Sequence, residues 1–180
     1  MVLLLRAGKG EIELLVITTV PITPLNVSAF KTVRLRALQD TPLAFGATYA
    51  NESQLTDAEW LQRTQRWNGE PGIGFFAMDG DAACGIAGSF LEPDDPACAK
   101  LISMWVPPTH RQRGVGRRLV NEVVRWAGSR NARTLLLLVT SNNEPAIRFY
   151  ECLGFTRTGH AQPYPNDPAI LKYEMSRAIS

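Results

Sequence analysis

Arg111-Gln112-Arg113-Gly114-Val115-Gly116-Arg117 sets three arginines and two glycines within seven positions. Such a run suits an anion with several oxygens. Where a strand runs into a helix, the first helical N–H groups lack an internal partner and carry partial positive charge, so a phosphate or pyrophosphate can accept from them. Glycine lets the backbone approach such an anion with no Cβ in the way. Arg111, Arg113 and Arg117 can add charge-assisted hydrogen bonds. A nucleotide-binding phosphate loop would need Gly-Lys-Ser/Thr, but Gly116 is followed by Arg117-Arg118. A dinucleotide fingerprint would need glycine at 119, where Leu119 stands. The segment alone also fits a tight turn with surface arginines.

Other reactive residue types are sparse. Cys84, Cys98 and Cys152 are odd in number and lack metal-site spacing. His110 and His160 lie far apart, and no metal is expected. Unpaired cysteines suit a reducing, cytoplasmic setting. A net charge of +2 over 180 residues is too weak to imply a nucleic-acid partner. The 45% hydrophobic and 20% charged shares are those of a globular domain. The apolar start, Met1 to Arg6, is cut off by Gly8-Lys9-Gly10, too short for a membrane span or a signal h-region. Residues 1–10 are read as an N-terminal extension and 11–180 as one domain, a monomer or a homodimer.

Periodicity supplies the elements that must position these groups. Residues 11–20, with β-branched Ile12, Val16, Ile17, Thr18, Thr19 and Val20, read as a strand, 25–39 as a helix stopped by Asp40-Thr41-Pro42. Thr56-Asp57-Ala58-Glu59 is a capping box opening a second helix. Residues 74–78 and 83–91 read as a hairpin about Asp79-Gly80-Asp81, and 98–106 as the next strand. Val115, Leu119, Val120, Val123, Val124 and Ala127 make one face of a helix over 114–129. The apolar run 134–140 predicts a strand buried on both faces. A short helix over 145–152 and strands over 155–160 and 170–176 complete the chain, with 163–168 as a loop. The fold class is α/β, a mixed sheet with helices packed on it.

Two separate stretches carry a family resemblance. Arg111-Gln112-Arg113-Gly114-Val115-Gly116 resembles the Arg/Gln-x-x-Gly-x-Gly/Ala motif of the GNAT family of N-acetyltransferases. Asn143-Glu144-Pro145-Ala146-Ile147-Arg148-Phe149-Tyr150, with Leu153-Gly154-Phe155 behind it, is similar to that family's Asn-x-x-Ala-x-x-x-Tyr stretch. Ala44-Phe45-Gly46-Ala47-Thr48-Tyr49 adds a weaker likeness. The resemblance covers about residues 11–176. It implies the acyl-CoA N-acyltransferase fold: a mainly antiparallel sheet in which two parallel strands, here 98–106 and 134–140, splay apart. It also implies acetyl-CoA as donor substrate, with its pyrophosphate on the N–H groups of 112–117. Its pantetheine arm would lie in the gap, bonded to backbone groups of Met104, Trp105 and Val106 and to Asn143. Asn143 equally suits a helix N-cap.

The partners implied are acetyl-CoA and an amine acceptor. The amine must be neutral, the oxyanion stabilised and the leaving thiolate protonated. Tyr150 follows Asn143 by seven residues, about two helical turns, and its phenol can donate that proton; a buried aromatic with a structural hydroxyl is the plain alternative. A backbone N–H near Val106 is the expected oxyanion donor. In members that acetylate protein N-termini, a glutamate stands where this chain has Leu138. Glu52, Glu59, Glu92 and His110 remain as possible bases. Phe45, Tyr49, Trp60, Trp67 and Tyr164 could line the acceptor side or belong to the core. A small-molecule amine is the leading acceptor. A protein N-terminus or lysine is the second reading, and a non-catalytic acyl-CoA-binding module a third.

Overall fold

The structure is a computed structural model that describes residues 4–8, 11–69, 71–165 and 167–179. The chain starts with a separate two-stranded sheet, β1 (Leu4–Gly8) and β2 (Glu11–Leu15), paired antiparallel. The strand read over 11–20 is thus two strands: β3 (Ile17–Pro21) begins a seven-stranded sheet of its own. The rest of that sheet is β4 (Gly72–Asp79), β5 (Ala82–Glu92), β6 (Asp95–Trp105), β7 (Thr134–Thr140), β8 (Thr156–Tyr164) and β9 (Asp167–Ala178). Its order is β3-β4-β5-β6-β7-β9-β8. All neighbours are antiparallel except β6 and β7.

Among the described residues, five α-helices cover the two faces: α1 (Val27–Asp40), α2 (Tyr49–Glu52), α3 (Asp57–Arg66), α4 (Val115–Ser129) and α5 (Glu144–Glu151). α1 starts two residues later than its apolar pattern suggests, because Pro24–Asn26 forms a 3₁₀ turn. There Asn26 Oδ1 accepts the Thr23 N–H at 2.9 Å. The capping box of α3 forms as expected. Thr56 Oγ1 accepts the Glu59 N–H at 3.3 Å, and Glu59 Oε2 accepts the Thr56 N–H at 2.7 Å.

The apolar stripe of α4 (Val115, Leu119, Val120, Val123, Ala127) packs with Ala87, Leu101, Leu135, Leu137, Ile147 and Met175. On the other face, Phe30, Val33, Ala37 and Leu38 of α1 and Trp60 of α3 pack against Ile22, Phe76, Ile86 and Trp105. Trp67 lies on Gly74 and Gly88. A Cβ on Gly74 would stand 2.2 Å from the indole, and one on Gly88 3.0 Å, so only glycines leave room for the ring.

Three further sequence expectations change. β7 is not buried on both faces: Leu135, Leu137 and Val139 are buried, whereas Leu136 and Leu138 on the other face are half-buried. The strand read over 98–106 begins earlier, at Asp95, which pairs with Glu92. The loop read over 163–168 is mostly strand, with Pro163 opposite Leu171 and Tyr164 opposite Asp167. Proline is tolerated there because β8 is an edge strand, and because β9 pairs with β7 only from Lys172 onward.

Candidate active site

β6 and β7 run parallel but pair only over Cys98–Lys100 with Thr134–Leu136. Beyond that they separate. The cause lies in β6, where three steps from Ile102 to Trp105 face two steps from Gly88 to Ile86 on β5. The extra residue makes a β-bulge, which bends the strand that carries it. Ser103 sits there at φ 53°, a left-handed conformation uncommon outside glycine. The opening is a cavity of about 80 Å³, lined among others by Phe45, Ser103, Met104, Leu138, Asn143 and Tyr150.

A buried ion cluster stands behind this wall. Arg34 of α1 donates from Nε and Nη2 to the two carboxylate oxygens of Glu52 on α2, each at 2.9 Å. Arg63 of α3 adds a contact at 2.8 Å. The remaining Nη1 of Arg34 donates to the Ser103 hydroxyl at 3.3 Å, and the guanidinium stacks 4.7 Å from the centre of the Phe45 ring. Burial raises the Glu52 carboxyl pKa, but the two arginines outweigh it and leave the group below its ordinary value. Glu52 is therefore committed to a double ion pair and is poorly suited to accept a proton.

At the head of α4, Gly114 is the N-cap at φ 76° and Gln112 lies at φ 60°. Alternating left-handed residues curl the backbone so that successive N–H groups face one concavity, an arrangement suited to anions. The first internal bond runs from the Arg118 N–H to the Gly114 carbonyl at 3.1 Å. The N–H groups of Val115, Gly116 and Arg117 precede it and lie outside the helical ladder. Gly116 has close neighbours: an added Cβ would lie 2.9 Å from Phe149 Cζ and 3.0 Å from Met104 Cε. This glycine joins the helix head to the splayed strand and to α5. Arg113 and Arg117 are exposed beside it.

Arg111 does not join them. Its Nε donates to the Val106 carbonyl at 2.9 Å and its Nη2 to Asp40, tying the loop to α1. Asp40 also accepts from Trp105 Nε1 at 2.9 Å. Trp105 and Val115 are core residues, so their side chains serve packing. Met104 lines the gap, and the Val106 carbonyl is already engaged by Arg111.

Asn143 caps α5, its Oδ1 accepting the Ala146 N–H at 3.3 Å, and it also lines the cavity. Tyr150, 8% exposed, lines the cavity from two turns further on. Its ring packs edge-on against Phe155 with centroids 5.7 Å apart. Burial pushes the phenol pKa up, so the group holds its proton through the neutral range. That suits an acid and not a base.

The remaining expected bases lie elsewhere. Glu59 is spent in its capping box, and Glu92 pairs with Lys100 at 3.0 Å. His110 bridges Thr109 at 2.8 Å and Asp79 at 3.1 Å. Of the aromatics, Phe45 reaches the cavity. Trp60 is core, and Tyr49 is exposed. Tyr164 is buried and donates its hydroxyl to the Phe45 carbonyl at 2.6 Å, pinning the tip of β8 onto the cavity wall. Sequence reasoning missed Arg34 and Ser103, whose meeting spans 69 positions, and the polar face of β8 and β9. Among the described residues no cluster of three His, Cys, Asp or Glu could hold a metal ion. No helix among them is long and apolar enough to cross a membrane.

Comparison with known proteins bears on the family and the fold. An uncharacterized protein of Mycobacterium leprae is 38% identical over 102 residues, covering 56% of this chain and 28% of that protein. An uncharacterized N-acetyltransferase of Methanocaldococcus jannaschii is 34% identical over 88 residues, covering 49% of this chain and 35% of its own length. The chain thus spans about a third of the length of these curated relatives. A solved Salmonella typhimurium acetyltransferase, described with its cofactor acetyl-CoA, superposes with a TM-score of 0.75 at 16% identity. That match covers 92% of this chain and 95% of that one, and at this identity it speaks to the fold. Residues 36–155 match the model of the acetyltransferase (GNAT) family, and the chain belongs to that family.

Proposed function

We propose that this protein transfers the acetyl group of acetyl-CoA to an amine, most readily that of a small molecule. The observation that carries the reading is the gap between β6 and β7, joined to the head of α4 at Gly116 and walled by Tyr150. The N–H groups at the head of α4 can take the pyrophosphate, and the gap between β6 and β7 can take the pantetheine arm as an added strand. Tyr150 lines that gap with its proton held. Gly116 is the fit test, for a side chain there would strike Phe149 and Met104 and close the junction between helix head and gap.

In this reading Arg113 and Arg117 add charge to the phosphate site, and the Asn143 carboxamide orients the pantetheine arm. Backbone N–H groups about the Ser103 bulge stabilise the oxyanion. Tyr150 gives its phenolic proton to the departing sulfur. The exposed thiol of Cys152 is not among the residues lining the cavity and takes no part.

The test is a panel of amines read by release of free coenzyme A, beside calorimetric binding of coenzyme A itself. Binding together with amine-dependent thiol release is expected. No measurable affinity for coenzyme A or its thioesters would sink the proposal. Binding without release for any amine would favour an acyl-CoA-binding module.

A further inference from the structure

The half-buried face of β7 has a partner that its own strand does not reveal. Leu138 sits directly opposite Glu174 of β9, and Thr140 directly opposite Lys172. Directly opposed residues in an antiparallel pair project to the same side of the sheet. Gln162 of β8 in turn opposes Lys172. Leu138, Glu174, Lys172 and Gln162, with His160 and Ala161, line a second cavity of about 310 Å³. Leu138 lines both this cavity and the one at the splay. The two spaces therefore meet at one leucine, beside the point where the thioester would end.

Glu174 and Lys172 carry opposite charges two residues apart on one strand, roughly 7 Å along it. No ion pair joins them, and none engages either side chain among the described residues. Glu174 is oriented by the Thr158 hydroxyl, which donates to its Oε1 at 2.8 Å. Thr158 is held there because β8 bulges: four steps from Arg157 to Ala161 face two on β9. A cavity offering one carboxylate and one ammonium, held apart, is complementary to a ligand bearing both opposite charges.

Resting on the acetyl-transfer reading above, we propose that the acceptor is a compact amino acid. Glu174 would receive its ammonium group and Lys172 its carboxylate, and Glu174 would be the base that the sequence leaves unidentified. The acceptor arrives as an ammonium ion. Glu174 takes one proton from the nitrogen and passes it to solvent. The neutral nitrogen attacks the acetyl carbonyl carbon, so the C–N bond forms and the C–S bond breaks. The second nitrogen proton leaves through Glu174, while sulfur takes the proton of Tyr150, which solvent restores. The net products are the N-acetylated amino acid, coenzyme A thiol and one proton. Glu174 thus does from the neighbouring strand what a carboxylate at position 138 would do from β7.

The test uses purified protein, acetyl-CoA and a panel running from glycine and β-alanine to glutamate, each beside its amide and its decarboxylated amine. The free acids are expected to exceed their amides in kcat/KM by roughly tenfold or more, the size of one charge-assisted contact. Lys172→Gln should bring that ratio towards one. Glu174→Gln should lower kcat about a hundredfold, with partial recovery in Glu174→Asp. Coenzyme A affinity, read in parallel, is the control for folding. If coenzyme A binds and amines are acetylated with no preference for free acids, or if the preference survives Lys172→Gln, the acceptor assignment is overturned. A kcat unchanged in Glu174→Gln overturns the base. Absence of coenzyme A binding in the unaltered protein instead removes the acetyl-transfer reading on which both depend.

Discussion

Arg34 Nη1 lies 3.3 Å from Ser103 Oγ, so a residue of the first long helix holds the bulge that opens the sheet. The same guanidinium is bound through its other two nitrogens to Glu52. Removing Arg34 leaves Glu52, 2% exposed, with Arg63 as its remaining ion partner. Arg34→Met should cost about 3 kcal/mol of stability, the scale of a broken buried pair. It should also reduce kcat more than coenzyme A affinity. Urea unfolding and steady-state kinetics read the two effects. An Arg34→Met protein with full kcat would show that the bulge holds its shape unaided.

The Glu52 carboxyl pKa is held below its ordinary value in the folded chain. A depressed carboxyl adds stability above its unfolded pKa, and that contribution is lost as pH falls through the folded one. Stability should therefore fall as pH drops below about 4.5, and Glu52→Gln should flatten that part of the curve. Chemical denaturation at pH 7, 5 and 3.5 would show it. Parallel pH profiles for the two proteins would assign the acid sensitivity elsewhere.

Tyr150→Phe removes a hydroxyl that makes no side-chain hydrogen bond with the described residues. Little stability should be lost, under about 1 kcal/mol. Turnover should fall about a hundredfold or more, with coenzyme A affinity within about twofold, if the phenol is the acid for the thiolate. Equal losses in turnover and affinity would make Tyr150 a wall of the cavity instead.

Gly116→Val places atoms against Phe149 and Met104, which already lie at 2.9 and 3.0 Å from an added Cβ. Coenzyme A affinity should fall by at least about tenfold, with the phosphate-free pantetheine affected less than the whole molecule. Gly114→Ala meets open space but keeps φ 76°, so its cost of about 1 kcal/mol is backbone strain at the helix cap. Calorimetry separates the two effects, one in affinity and the other in stability.

Arg113 and Arg117 stand exposed at the head of α4, where the proposed function puts the phosphates. The double change to glutamine should weaken coenzyme A binding and reduce its dependence on salt, since exposed charges act through a screened field. Titrations at 50 and 300 mM salt would register both. An unchanged salt slope would place the phosphates away from these arginines.

What the sequence alone determined is local. The glycine spacing at 114 and 116, the Thr56–Glu59 capping box and the Asn143–Tyr150 interval are each written within a few residues, because helix starts and glycine turns depend on neighbouring backbone groups. The apolar stripe of α4 is legible for the same reason. The tertiary structure decided what depends on pairing across strands. The opening of the sheet needs β5 and β6 in register before Ser103 is seen to be surplus. Arg111 reads as a phosphate ligand until Asp40, 71 positions away, is found against it. Leu138 reads as a missing carboxylate until β9 sets Glu174 opposite it. Strand register is fixed by the burial of whole faces, not by any single residue, so no local reading of the chain could have placed these pairs together.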